Sequence, residues 1–199
     1  MKLLALMGAL SLAVCLAPSG LSQEKGEDKD TSYYPLKVGN QWTYKAANGQ
    51  KTITKATKEE KVGEVMCVKL ETTVNSALAA SEHLAAKADG IYRYAGNGME
   101  IEPPVLVLKL PPKKGDSWKI DSKFAGLTIQ GTFTVGEEPV AVAGVKYKAV
   151  TVSTDDMKIG DDSLTTKLWF APGVGMVKQV MNLMGKKVEL ELEKFEGAK

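Results

Sequence analysis

The sequence predicts an all-β protein built on an antiparallel sheet. Three observations carry that expectation: apolar and polar residues alternate with period two, turn signals recur at short intervals, and one phrase occurs twice. "LTIQGTFTV" sets Leu127, Ile129, Phe133 and Val135 against Thr128, Gln130, Thr132 and Thr134. "KVELELEKF" sets Val188, Leu190 and Leu192 against Glu189, Glu191 and Glu193. Period two puts one set on a core and the other in water, the signature of a sheet wetted on one face. "GMVKQVMNLM", with Met176, Val177, Val180, Met181, Leu183 and Met184, is apolar on both sides and reads as a more enclosed strand. Turn signals at Asn48-Gly49, Asn97-Gly98 and Gly185 cut the chain into short runs. Strand-length runs at intervals of about 8 to 15 residues, without a βαβ rhythm, predict about eight to ten strands. The expected architecture is a closed or half-open barrel, with a β-sandwich as the alternative.

The repeated phrase is "PLKVGNQW" and "PPKKGDSW", from Pro35 to Trp42 and from Pro111 to Trp118. Each places a Pro before a strand, a Gly suited to positive φ (Gly39, Gly115) and a Trp at the strand start. Proline fixes φ and donates no ladder bond, so it marks strand entry. Trp42 and Trp118 are expected to cap core ends structurally, burying on the order of 200 Å² each. Further landmarks follow in the same order: Glu59-Glu60 with Glu137-Glu138, Gly63 with Gly144, Gly90 with Gly173. This order predicts a domain of two tandem similar units, residues 33–108 and 109–196. "SALAASEHLAAKAD", residues 76–89, has helix-forming composition. Its counterpart "DSLTTKLWFAPG" has strand composition, so a strand is expected in both places.

Residues 1–22 read as a secretory signal peptide: one lysine, an apolar run too short to span a membrane, then Pro18 and small residues. Gly20 and Ser22 suit cleavage before Gln23. "LAVC" alternatively resembles a lipobox that would make Cys15 a lipid anchor, although Val14 is large for the position before it. Residues 23–32 read as a charged flexible tether. The mature chain has no apolar stretch long enough for a transmembrane helix, and the expected location is periplasm, envelope or medium.

Composition narrows the chemistry. The 199 residues carry a net charge of +2, and Arg93 is the sole arginine. Dispersed lysines among equally many acids do not make a nucleic-acid surface. With one histidine, His83, and one internal cysteine, Cys67, a zinc site lacks ligands. Ser81, Glu82 and His83 are adjacent, and neighbours on a strand face opposite ways, so they form no triad. No P-loop, GxSxG, HExxH or GxGxxG is present, and no cofactor is implied. Asp155, Asp156, Asp161 and Asp162 surround a glycine and are weak calcium candidates without EF-hand spacing. A carboxylate hydrolase would have to use Glu59, Glu60, Glu137 and Glu138.

"YYPLKVGNQWTY", "GIYRYAGNG", "PPVLVLKLPPKKGDSW" and "LWFAPGVGMVKQ" resemble a group of uncharacterised bacterial secreted proteins. That resemblance covers essentially the whole mature chain and implies export, not an activity. At fold level the chain is loosely similar to half-barrel lipid or lipoprotein carriers of the LolA type, though it lacks a clear plug helix. Leu106, Leu108, Met157, Met176, Met181 and Met184 are the expected lining of an apolar pocket, and serve equally as core. The chain therefore reads as an exported, non-enzymatic module binding an apolar small molecule or an envelope component. A structural or protein-interaction module and a carboxylate hydrolase are the alternatives.

Overall fold

A computed structural model describes residues 33–198. The leader, Cys15 and the tether lie outside the described residues. Twelve strands run β1 (Gln41–Ala46), β2 (Lys51–Val62), β3 (Val65–Val74), β4 (Ala77–Lys87), β5 (Gly90–Gly96) and β6 (Met99–Lys109). They continue as β7 (Ser117–Phe124), β8 (Leu127–Val142), β9 (Val145–Ile159), β10 (Asp162–Ala171), β11 (Gly175–Leu183) and β12 (Lys186–Glu196). Each strand pairs antiparallel with the next, and β12 returns to β1, closing a meander barrel. The strands number twelve instead of about eight to ten, and the sheet has no open flank. Residues 77–87 are strand despite their composition, because pairing with β3 and β5 overrides helix propensity.

The alternation directs side chains as expected. Phe133, Val135, Leu164, Leu168, Met181 and Leu192 are buried in one core. Between them on the outside stand Lys45, Lys55, Lys119 and Glu193, all exposed. Membrane-spanning barrels show the opposite pattern, apolar outward. Ion pairs such as Lys69–Glu71 (2.9 Å) along β3, and Lys51–Glu193 (2.7 Å) and Lys178–Glu189 (2.7 Å) between strands, decorate this outer face. Trp169 is also on the outer face, yet Lys167 and Lys178 cover its ring at 4.9 and 6.0 Å.

The outer pairs set an acid sensitivity. Lys178 and Lys187 hold the Glu189 carboxyl at about 2, and Lys58 and His83 hold Glu60 at about 2. Both values are depressed from 4.5, so the stabilisation is present above that pH and fades as pH falls toward 2. Urea midpoints measured from pH 5 to pH 2 should therefore drop, and a Glu60→Gln/Glu189→Gln variant should drop less. The effect is modest because solvent screens both sites. Parallel profiles for the two proteins would contradict it.

One end of the barrel is sealed by aromatic rings. Tyr34 stacks on Trp42 at 5.5 Å and meets Phe170 edge-on at 5.8 Å, while Trp42 stacks on Phe195 at 5.3 Å. The Trp42 indole donates to Val174 O (2.7 Å), and the Tyr44 hydroxyl donates to Met176 O (3.1 Å). Gly175, at φ 99°, passes so close that an added Cβ would lie 2.7 Å from the Tyr34 ring. Asn40 ties the chain ends together, donating to Pro35 O (2.7 Å) and accepting from Ala198 N (2.7 Å).

The two copies of the repeated phrase make matching bonds. Gly39 N donates to Ala56 O and Asn40 N to Lys37 O, both at 2.9 Å. Gly115 N donates to Val135 O (2.9 Å) and Asp116 N to Lys113 O (3.0 Å). The tryptophans differ in depth: Trp42 is fully buried and Trp118 half-buried. Trp118 stands at the thinnest seam of the barrel, where β6 and β7 pair only at Ile101–Phe124 and Glu102–Lys123. Pro103 and Pro104 supply no ladder donors there, and the Trp118 indole bridges the seam by donating to Leu106 O (3.0 Å).

Candidate functional site

The opposite end of the barrel, formed by the β1–β2, β3–β4, β5–β6, β7–β8, β9–β10 and β11–β12 hairpins, has no aromatic plug among its described residues, and cavities enter it. An apolar chamber of about 60 Å³ reaches the hairpin ends at Gly96, Phe124, Ile159 and Leu183. Its deeper wall is Val107, Phe133, Leu164 and Leu168. Beside it, toward β1–β4 and β12, lies a more open chamber of about 370 Å³. Met181 lines both.

A polar layer crosses the interior beneath the chambers. Thr54 and Thr72 hydroxyls are 3.0 Å apart and buried. Glu82, on β4, and Arg93, on β5, form an ion pair with Nη2–Oε1 at 3.2 Å, their side chains 1% and 9% exposed. Arg93 also lines the apolar chamber. Glu82 points inward because its strand partner is the core residue Leu70. The solitary arginine thus serves the interior, a role that no local motif announces.

Two of the six expected pocket residues, Met157 and Met181, line the apolar chamber. The other four lie elsewhere, two of them in the core that is the other reading of these residues. Leu108 and Met176 are fully buried in the packed core. Leu106 is half-buried and packs over Gly90 on β5. Met184 sits at the β11–β12 turn, at φ 52°, and is 65% exposed. Methionine flexibility alone does not place a residue; strand parity and distance from a turn do. The chamber is instead walled chiefly by Phe, Ile, Val and Leu from β6 to β11.

The remaining candidates fall elsewhere. Asp155 and Asp156 end up on β9, Asp161 in the following turn and Asp162 at the start of β10. Asp156 accepts from Thr132 N (2.8 Å) and the Thr154 hydroxyl (2.9 Å), so it closes a bulge. No group of three or more His, Cys, Asp or Glu able to hold a metal occurs among the described residues. Glu60 pairs with Lys58 and His83, and Glu138 with Lys167. These carboxylates stand on outer strand faces, away from the chambers. Cys67 packs with Ala85 and Tyr94 in a satellite cluster, and burial pushes its thiol up to about 11, far from thiolate chemistry.

No family model matches the chain, and neither does any curated protein. Among solved structures, a protein of Parabacteroides distasonis provisionally named a lipoprotein is similar, with a TM-score of 0.52 and 11% identity. That match covers 82% of this chain and 98% of the other. A protein of Bacteroides fragilis, provisionally named as exported and as having a YmcC-like fold, gives a TM-score of 0.46 at 14% identity, over 80% and 96%. No helix among the described residues is long and apolar enough to cross a membrane. At 11% identity, the Parabacteroides distasonis likeness is one of fold.

Proposed function

We propose that this protein is an exported, non-enzymatic binding module that takes an apolar small molecule into the barrel lumen. The observation that carries the reading is the pair of chambers, about 60 and 370 Å³, that meet at Met181 inside a barrel sealed at its other end. Concave apolar sites with few polar groups are the common form of ligand pockets. An aromatic plug on one side and hairpins on the other favour entry from one direction. The leader-like residues 1–22 support export, and Cys15 remains the candidate anchor in the lipobox reading. The matching bonds at Gly39 and Gly115 support an origin in two tandem six-strand units.

Titration with 1-aminoanthracene, an apolar fluorophore, tests the reading. Saturable one-to-one enhancement is expected. Ile129→Trp, which fills the chamber edge from a half-buried position, should weaken it at least tenfold. Absence of saturable binding, or binding indifferent to Ile129→Trp, would overturn the proposal.

A further inference from the structure

The two chambers that meet at Met181 differ in chemistry. The first is walled by hydrocarbon, apart from the edge of Arg93, which Glu82 already neutralises. Its 60 Å³ has room for only about two methylenes, the end of a chain whose remainder would lie beside Met181 and Leu190. The second is larger and more open, and Thr52, Thr72, Gln179 and Lys187 line it beside alanines and Leu190. Gln179 and Thr72 are 2% and 4% exposed, so these polar groups are removed from bulk water at the inner wall. A wholly apolar occupant extending there would leave buried donors and acceptors without water, at about 1 to 3 kcal/mol each. A wholly polar occupant would leave the hydrocarbon chamber unused.

We infer that the lumen is built for an amphiphile: the end of a single hydrocarbon chain in the apolar chamber, and an uncharged hydroxyl- or amide-bearing head in the polar one. The inner wall of the polar chamber selects the uncharged head: its buried polar groups, Thr52, Thr72 and Gln179, are all neutral. Lys187 and Glu189 reach only its outer rim and are paired with each other at 2.7 Å. An anionic or cationic head would lose its hydration there with no opposite charge on the inner wall to replace it. Thr52, Thr72 and Gln179 can both donate and accept, which suits a sugar or amide head. Sites that hydrogen-bond a ligand group discriminate strongly against analogues lacking it. This inference rests on the lumen reading above and adds the class of ligand.

Octyl glucoside, used below its micellar concentration, is the test ligand, with octanoate and octylamine as charged comparisons. Each is titrated as a competitor of bound 1-aminoanthracene and by calorimetry. Octyl glucoside should bind at least tenfold tighter than either charged analogue. Gln179→Leu should weaken octyl glucoside about tenfold while changing 1-aminoanthracene binding less than threefold. Thr52→Val, a near-isosteric change, should act in the same direction. If the fluorophore binds but the three octyl compounds compete equally, or Gln179→Leu and Thr52→Val leave octyl glucoside unaffected, the amphiphile inference falls and the apolar-lumen reading stands. If neither the fluorophore nor octyl glucoside binds, both fall.

Discussion

Replacing Glu82 by leucine is expected to lower the unfolding free energy by about 3 to 5 kcal/mol, because Arg93 is left as an uncompensated buried charge. The pair lies across adjacent strands at 3.2 Å, with Glu82 1% and Arg93 9% exposed in their side chains. Both heads are buried inside the barrel, Arg93 against the apolar wall of the chamber, so the guanidinium keeps most of its desolvation cost after its partner is removed. The double variant Glu82→Leu/Arg93→Met removes both charges and keeps similar volume. It is expected to come back to within about 1 kcal/mol of the parent, or to exceed it. Urea unfolding followed by far-ultraviolet circular dichroism checks both. A single variant costing under about 1 kcal/mol, or a double variant as unstable as the single one, would show that the pair is not the buried unit described.

The second large effect is at the plug. Trp42→Ala should cost about 3 to 5 kcal/mol, as expected for deleting a fully buried aromatic side chain whose space cannot collapse. It removes the stack between Tyr34 and Phe195 and leaves Val174 O without its indole donor. Trp118→Ala should cost about 1 to 3 kcal/mol, since that ring is half-buried and loses chiefly its edge contact with Phe133 and its bond to Leu106 O. The contrast is the test. The two tryptophans occupy the same place in the repeated phrase, so sequence position alone would predict equal costs. Equal or reversed losses in chemical denaturation would contradict a plug centred on Trp42.

The strand count shows where sequence reading stops. Asn48-Gly49 and Asn97-Gly98 are turns with an ordinary signature, and both are hairpin tips. Other tips place Ser76, Ala125, Ala143 and Met184 at positive φ, where such residues are uncommon. Composition gives those turns little away, so neighbouring strands merge in a sequence-level count. The helix-like composition of residues 76–89 misleads in the other direction, and only its partners on both sides hold it extended. For the candidate site, period two identified Phe133, Ile129 and Leu192 as inward, because facing is a local property of a strand. It could not separate Met181, at the junction of both chambers, from Met176 in the packed core, three strand positions from the turn before β11 at most.

By itself the sequence determined the all-β class, the alternation that makes the core apolar and the exterior charged, and a single histidine with a single internal cysteine. These depend on residue type and on spacings of a few residues. Tertiary structure alone decided that the sheet closes, that Tyr34 and Phe170 seal one end, and that Glu82 finds Arg93. It also decided that two chambers of unlike polarity meet at one methionine. Closure and chamber shape follow from strand stagger, bulges and contacts between residues far apart in the chain, and no short window of sequence contains them.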